Sequence, residues 1–168
     1  MDQLKLLQDR FIAEWAAVGH AWGISRAMAQ IHALLLISPQ PLNTDQIMER
    51  LAISRGNAHT NLRELMAWQL VQKILKKGER KEFFGAEKDP WRIFTTVVRE
   101  RQRREVEPLA QLLERCREES ATMTSEDGAG FHHQIKEMSE LVNIADRVMS
   151  RVGKSEKGGL LKWLLKMM

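Results

Sequence analysis

Ser54-Arg55-Gly56-Asn57-Ala58-His59-Thr60-Asn61-Leu62-Arg63-Glu64-Leu65 is the stretch on which the reading of the fold turns. Ser54 suits a helix N-cap, because its short hydroxyl can accept from a backbone N–H that the first turn leaves without a partner. At about 100° per residue, Ala58, Leu62, Leu65 and Gln69 fall on one side of a helix running to about Trp68, with Asn61 at the margin. Gly56, Thr60 and Arg63 fall on the opposite side, flanked by Asn57 and His59. One side of this helix is built to be buried, and the other is polar and cationic.

Working outward, Leu70 to Leu75 and Lys81 to Ala86 read as two short strands. The polar, glycine-containing Lys76-Lys77-Gly78-Glu79-Arg80 joins them as a hairpin turn. Upstream, Asn43 or Thr44 caps a shorter helix whose apolar side is Ile47, Met48 and Leu51, and Ile53-Ser54 breaks the chain before the next one. Before that, Ile24, Ala27, Met28, Ile31, Leu34 and Leu35 mark a helix stopped by Ser38-Pro39-Gln40-Pro41. Three helices followed at once by a hairpin is the order of a winged helix-turn-helix. The predicted fold class is therefore mainly α with a small β hairpin: a winged helix-turn-helix plus long dimerisation helices.

The flanks are helical too. Leu4, Leu7, Phe11, Trp15, Val18 and Trp22 recur at steps of three and four as the stripe of a first amphipathic helix, loosened or ended by Gly19 and Gly23. Asp89-Pro90 supplies an N-cap and a first-turn proline for a long helix with the stripe Trp91, Phe94, Val98, Leu109, Leu112 and Cys116. Arg101 and Glu105 interrupt that stripe and read as a part-exposed ion pair, while Pro108 implies a kink or break. After a polar loop from Ser120 to Gly130, Phe131, Ile135, Met138, Val142, Ala145, Met149 and Val152 form a heptad seam. Such a seam needs a partner surface, most simply a second copy in a two-fold dimer. Gly153, Gly158 and Gly159 break the pattern ahead of the short apolar run Leu160 to Leu165, expected to dock on the dimer. The expected organisation is an N-terminal packing helix at 1–22, a winged helix-turn-helix at 23–88 and a helical dimerisation region at 89–168.

Charge is concentrated where the fold is decided. Between Ser54 and Lys81, seven cations (Arg55, Arg63, Lys73, Lys76, Lys77, Arg80, Lys81) face only Glu64 and Glu79, an excess larger than the +4 of all 168 residues. A positive segment on a nearly neutral body points to contact with a polyanion. Arg can fork to guanine, Asn to adenine, and Thr can meet a thymine methyl, while Gly56 lets the helix start come close to a duplex. Ser54 and the free backbone donors of the helix start suit a phosphate. The candidate DNA-binding residues are thus Ser54, Arg55, Gly56, Asn57, His59, Thr60 and Arg63 on the helix, with Lys76, Lys77, Arg80 and Lys81 on the hairpin. An ordinary solvated face and lysine protection of an edge strand are the plainer readings of the same residues.

Several classes are set aside. Cys116 stands alone, so no internal disulfide forms, and a reducing cytoplasm is expected. The longest unbroken apolar run, Ala33 to Ile37, is far short of a membrane span, and no signal peptide is visible. No catalytic triad, phosphate-cradling glycine loop or metal-ligand spacing appears, and adjacent His132 and His133 point apart on a helix. No cofactor, metal site or enzymatic activity is expected. The runner-up reading is a winged-helix protein-interaction module without sequence-specific DNA binding.

Gly19-His20-Ala21-Trp22-Gly23, Leu51 to Asn57, Leu62-Arg63-Glu64-Leu65, Lys77 to Lys81 and Arg101 to Pro108 together resemble the MarR-like regulators of the glycine betaine synthesis repressor branch. The resemblance runs from about Phe11 to Pro108 and is most specific from Ile53 to Lys81. It implies a dimeric winged-helix transcriptional regulator, commonly a repressor, that binds double-stranded DNA. On it, Ser54, Arg55, Asn57, His59, Thr60 and Arg63 match the recognition helix, and Lys77, Arg80 and Lys81 match the wing. It also implies a possible small-molecule effector, since some members respond to choline-like cations held by aromatic rings. Phe11, Trp15, Trp22, Trp91 and Phe94 are the rings available, though packing explains each of them.

Overall fold

A computed structural model of the chain describes residues 3–155. The elements are helix α1 (Gln3–Ala21), α2 (Arg26–Ile37), strand β1 (Leu42–Asn43), α3 (Thr44–Leu51), α4 (Arg55–Ala67), β2 (Val71–Ile74) and β3 (Phe83–Ala86). They continue as α5 (Pro90–Arg101), a π-helical stretch (Gln102–Val106), α6 (Glu107–Ser120) and α7 (Glu126–Gly153). The chain divides into two compact units, with the boundary between Ile93 and Phe94, inside α5.

The first unit is a winged helix-turn-helix. Its core is the apolar side of α2 (Met28, Ile31, Leu34, Leu35), closed by Ile47 of α3, by Ala58, Leu62 and Leu65 of α4, and by Phe83 and Phe84 of β3. Local chemistry fixes each helix start. Ser25 caps α2 by accepting from Met28 N–H, and Ser54 caps α4 by accepting from Asn57 N–H. Asn43, not Thr44, caps α3, in a capping box completed by the Gln46 side chain. The end of α2 is held by a residue from another part of the chain. Lys88 donates to the carbonyls of Leu35, Leu36 and Ser38 at 2.6–2.9 Å, satisfying oxygens that the helix leaves unpaired.

The sheet has three strands in the order β1-β3-β2, all antiparallel, with Leu42 opposite Phe84 and Val71 opposite Ala86. The hairpin strands are each shorter than the sequence reading expected, and β1 carries no signal of its own in two residues. The hairpin turn closes with Glu79 N–H on the Lys76 carbonyl, and Gly78 takes φ +86°.

Two expected buried faces turn out differently in this unit. Gln69 is exposed, and Trp68 is buried instead. The helix ends before Gln69, which adopts φ +59°, while Leu70 N–H bonds the Leu65 carbonyl and Gln69 N–H bonds that of Met66. This is a Schellman ending, usually signalled by glycine, so the position left no mark in the sequence. On α1 the buried residues are Ile12, Ala16 and Gly19, whereas Leu4, Leu7, Trp15, Val18 and Trp22 of the expected stripe are exposed. Small residues decide this. A Cβ on Gly19 would lie 2.8 Å from that of Ala29, so α1 meets α2 along its smallest side chains.

In the second unit, α6 and α7 pack together. Pro108 neither breaks nor stops its helix. Having no N–H for the carbonyl four residues back, it follows a widened turn in which Glu107 N–H bonds the Gln102 carbonyl, five residues earlier. The extra residue shifts the helical phase by about a quarter turn. Leu113 is therefore buried where Leu112 was expected, and Leu109 and Leu112 are exposed. Phe94 is exposed as well, and the buried residues of α5 are Thr95, Thr96 and Glu100. The loop expected from Ser120 to Gly130 is shorter, since Ser125 caps α7 by accepting from Gly128 N–H. Along the heptad seam Ile135, Val142, Ala145, Met149 and Val152 are half-buried, and Phe131 and Met138 are exposed. The apolar run from Leu160 to Leu165 lies outside the described residues.

Candidate nucleic-acid interface

Ser54, Arg55, Gly56, Asn57, His59, Thr60 and Arg63 are all exposed on α4, on the side away from Ala58, Leu62 and Leu65. Lys77, Arg80 and Lys81 are exposed on the hairpin, and Lys76 is half-buried. The start of α4 and the base of the wing meet across a cleft of about 270 Å³ lined by Asn43, Thr44, Asp45, Arg55, His59, Lys81 and Glu82.

Their electrostatic states differ. Asp45 accepts from Arg55 at 2.6 Å through one oxygen and from Lys81 at 3.0 Å through the other. Hydrogen bonds, first from Lys81 and then from Arg55, hold its carboxyl below the usual range. Lys73 pairs with Glu82 across the hairpin. The Lys76 ammonium stands 4.0 Å over the Phe83 ring, a cation–π contact that steadies the wing. Among the described residues, Arg63, Lys77 and Arg80 form no ion pair.

Asn57 is held from inside. The Ser25 hydroxyl donates to Asn61 Oδ1 at 2.7 Å, and the Asn61 amide donates to both the side-chain and backbone oxygens of Asn57, at 2.6 and 2.8 Å. With its carbonyl oxygen engaged, Asn57 is left chiefly as a donor, which alters the bidentate pairing with adenine that the sequence alone allowed. Gly56 has open space where a Cβ would be, so packing within the chain does not require a glycine there.

Sequence reasoning missed Asp45 and the polar contacts of Asn61. An acidic residue in the first turn of α3 is ordinary helix chemistry, and nothing in its spacing pairs it with residues ten and thirty-six positions on. The other candidates resolve simply. Arg101 and Glu105 form the expected ion pair at 3.1 Å. Its neighbour Glu100 is the unexpected one. Burial works against its charge, but hydrogen bonds from Arg103 and Arg104 outweigh that and hold its pKa low. His132 Nδ1 lies 2.8 Å from the hydroxyl of Ser120, the last residue of α6. Cys116 is half-buried. Of the aromatic residues, Phe11 and Trp15 have ring centres 5.5 Å apart, and Trp15 lies 6.0 Å from the buried His32. No group of three metal-binding side chains occurs among the described residues, and none of their helices is long and apolar enough to cross a membrane.

No protein-family model matches the chain. Three Bacillus subtilis (strain 168) proteins are similar to it. YvaV, provisionally named an HTH-type transcriptional regulator, is 23% identical over 90 residues, covering 54% of this chain and 51% of that protein. The HTH-type transcriptional repressor OpcR is 18% identical over 128 residues, 76% of this chain and 69% of OpcR. The HTH-type transcriptional repressor GbsR is 27% identical over 100 residues, 60% of this chain and 55% of GbsR. The chain thus spans about half the length of two of these relatives. A crystal structure of a transcriptional regulator shares the fold, with a TM-score of 0.65 at 16% identity over 85% of this chain and 92% of that one. By sequence this chain is similar to HTH-type transcriptional regulators, GbsR among them, and it shares the fold of a solved transcriptional regulator.

Proposed function

We propose that the protein is a sequence-specific double-stranded DNA-binding transcriptional regulator, working as a dimeric repressor. The observation that carries this reading is the pairing of an exposed polar α4 face with an exposed cationic wing, where Arg63, Lys77 and Arg80 stand without ion-pair partners among the described residues. Arg63 and Thr60 read base edges in the major groove, and Ser54, Lys77 and Arg80 hold phosphates. Gly56 lets the start of α4 come close to the backbone. The polar, basic character of the α4 face disfavours a pure protein-interaction module.

Residues 23–88 form the DNA-binding segment on this reading, and residues 1–22 and 89–168 the dimerising ones. Exposed Leu7 and Val18 on α1, Trp22 just after it, and Leu141, Ile144 and Val148 on α7 give apolar surface for a second copy to cover. Two recognition helices would then enter successive major grooves about 34 Å apart, over a roughly palindromic site. A small-molecule effector would act by favouring one spacing of those helices over another. The expected setting is the cytoplasm. Selection of bound fragments from genomic DNA, followed by fluorescence anisotropy on the enriched sequence, tests the reading. Enrichment of a half-site repeat supports it, and equal binding of all fragments refutes it.

A further inference from the structure

The cleft between α3, α4 and the wing contains a carboxylate where a duplex-binding surface should be most positive. Asp45 spends both oxygens on Arg55 and Lys81, two of the cations assigned above to DNA. All three side chains are well exposed, at 46% for Asp45, 62% for Arg55 and 59% for Lys81. Exposed pairs of this kind add little to folding. The surrounding elements have their own supports, namely the capping box at Asn43 and the Ser54 cap. The carboxylate is thus not needed to build the site. What it does is present two anionic acceptor oxygens to two cations, as a phosphodiester would.

Resting on the DNA-binding reading, we propose that Asp45 is an internal stand-in for a DNA phosphate. It occupies Arg55 and Lys81 in the free protein and yields them when a duplex backbone enters the cleft. Its consequence is a ceiling on affinity. Each contact with any duplex, of whatever sequence, must displace Asp45, so the affinity supplied by the phosphate contacts is held down for all sequences alike, while base contacts through Arg63 and Thr60 are untouched.

The test compares the full-length wild type with Asp45→Asn, and with Glu14→Gln, which removes the same charge from an exposed site on α1. Binding to a random-sequence duplex is measured by anisotropy across a salt series, with circular dichroism checking the fold. Freeing one net positive charge should steepen the log–log salt slope by about 0.9 and tighten binding about eightfold at 0.1 M salt. Glu14→Gln should match wild type. A slope for Asp45→Asn that is unchanged or shallower overturns the proposal, as does an equal gain in Glu14→Gln. Wild type that binds no duplex at any salt concentration refutes the DNA-binding reading itself, which separates the two failures.

Discussion

His32 provides a stability measurement whose size follows from its surroundings. The ring is buried on α2, 6.0 Å from Trp15, and its Nε2 has no hydrogen-bond partner among the described residues. Burial first, and then the positive charge of Lys88, push its pKa from 6.5 down to about 4. As pH falls from 6.5, the unfolded chain takes up a proton that the folded chain refuses, so stability is lost with acidification until both forms are protonated below about 4. The full gap corresponds to about 3 kcal/mol, of which about 2 kcal/mol is gone by pH 5. His32→Leu removes the titrating group and the orphaned nitrogen together, and at pH 7 it should be neutral or mildly stabilising. Urea titrations followed by tryptophan fluorescence at pH 7 and pH 5 make the comparison. Carboxylates such as Asp45 titrate in both proteins and cancel in the difference. Wild type should lose about 2 kcal/mol more than the variant between the two pH values. Equal losses would show that the ring reaches solvent freely and that the burial argument is wrong.

Arg63→Ala should cost about 1–3 kcal/mol of binding to the selected sequence, more than it costs on random duplex, read by competition anisotropy. Lys77→Ala should weaken all sequences alike and flatten the salt slope by about 1. Gly56→Ala should raise the thermal midpoint, since a helical glycine costs up to about 1 kcal/mol against alanine, yet weaken duplex binding; a variant that gains stability and keeps full affinity would remove Gly56 from the interface. Asn43→Ala should lose the α3 capping box and about 1–2 kcal/mol in chemical denaturation.

The first unit was largely legible in the sequence because its signals are local and redundant. Ser54 stands at a helix start, prolines follow α2, a glycine-bearing turn separates two β-rich runs, and the apolar residues of α2 and α4 keep a steady period. The exposure of every helix-borne candidate follows from that periodicity. Legibility failed where a departure from regular geometry left no signature. Gln69 does a glycine's work at φ +59°, and the π-helical turn before Pro108 shifts the phase of all that follows. It failed again on α1, where bulk marked the wrong face: tryptophan and leucine stayed outside, and alanine and glycine made the close contact. Long-range polar contacts such as Asp45 with Lys81 were invisible for a plainer reason. Their partners are set by tertiary geometry, which spacing does not encode.

The hydrogen bonds running from Ser25 through the buried Asn61 to Asn57 connect the start of α2 with a side chain on the outer side of α4. A change at Ser25 frees the Asn61 amide to turn, and with it the atom that Asn57 offers outward. On the DNA-binding reading, preference among operators can therefore drift through a substitution at the start of α2, and a comparison restricted to α4 and the wing would overlook where that drift begins.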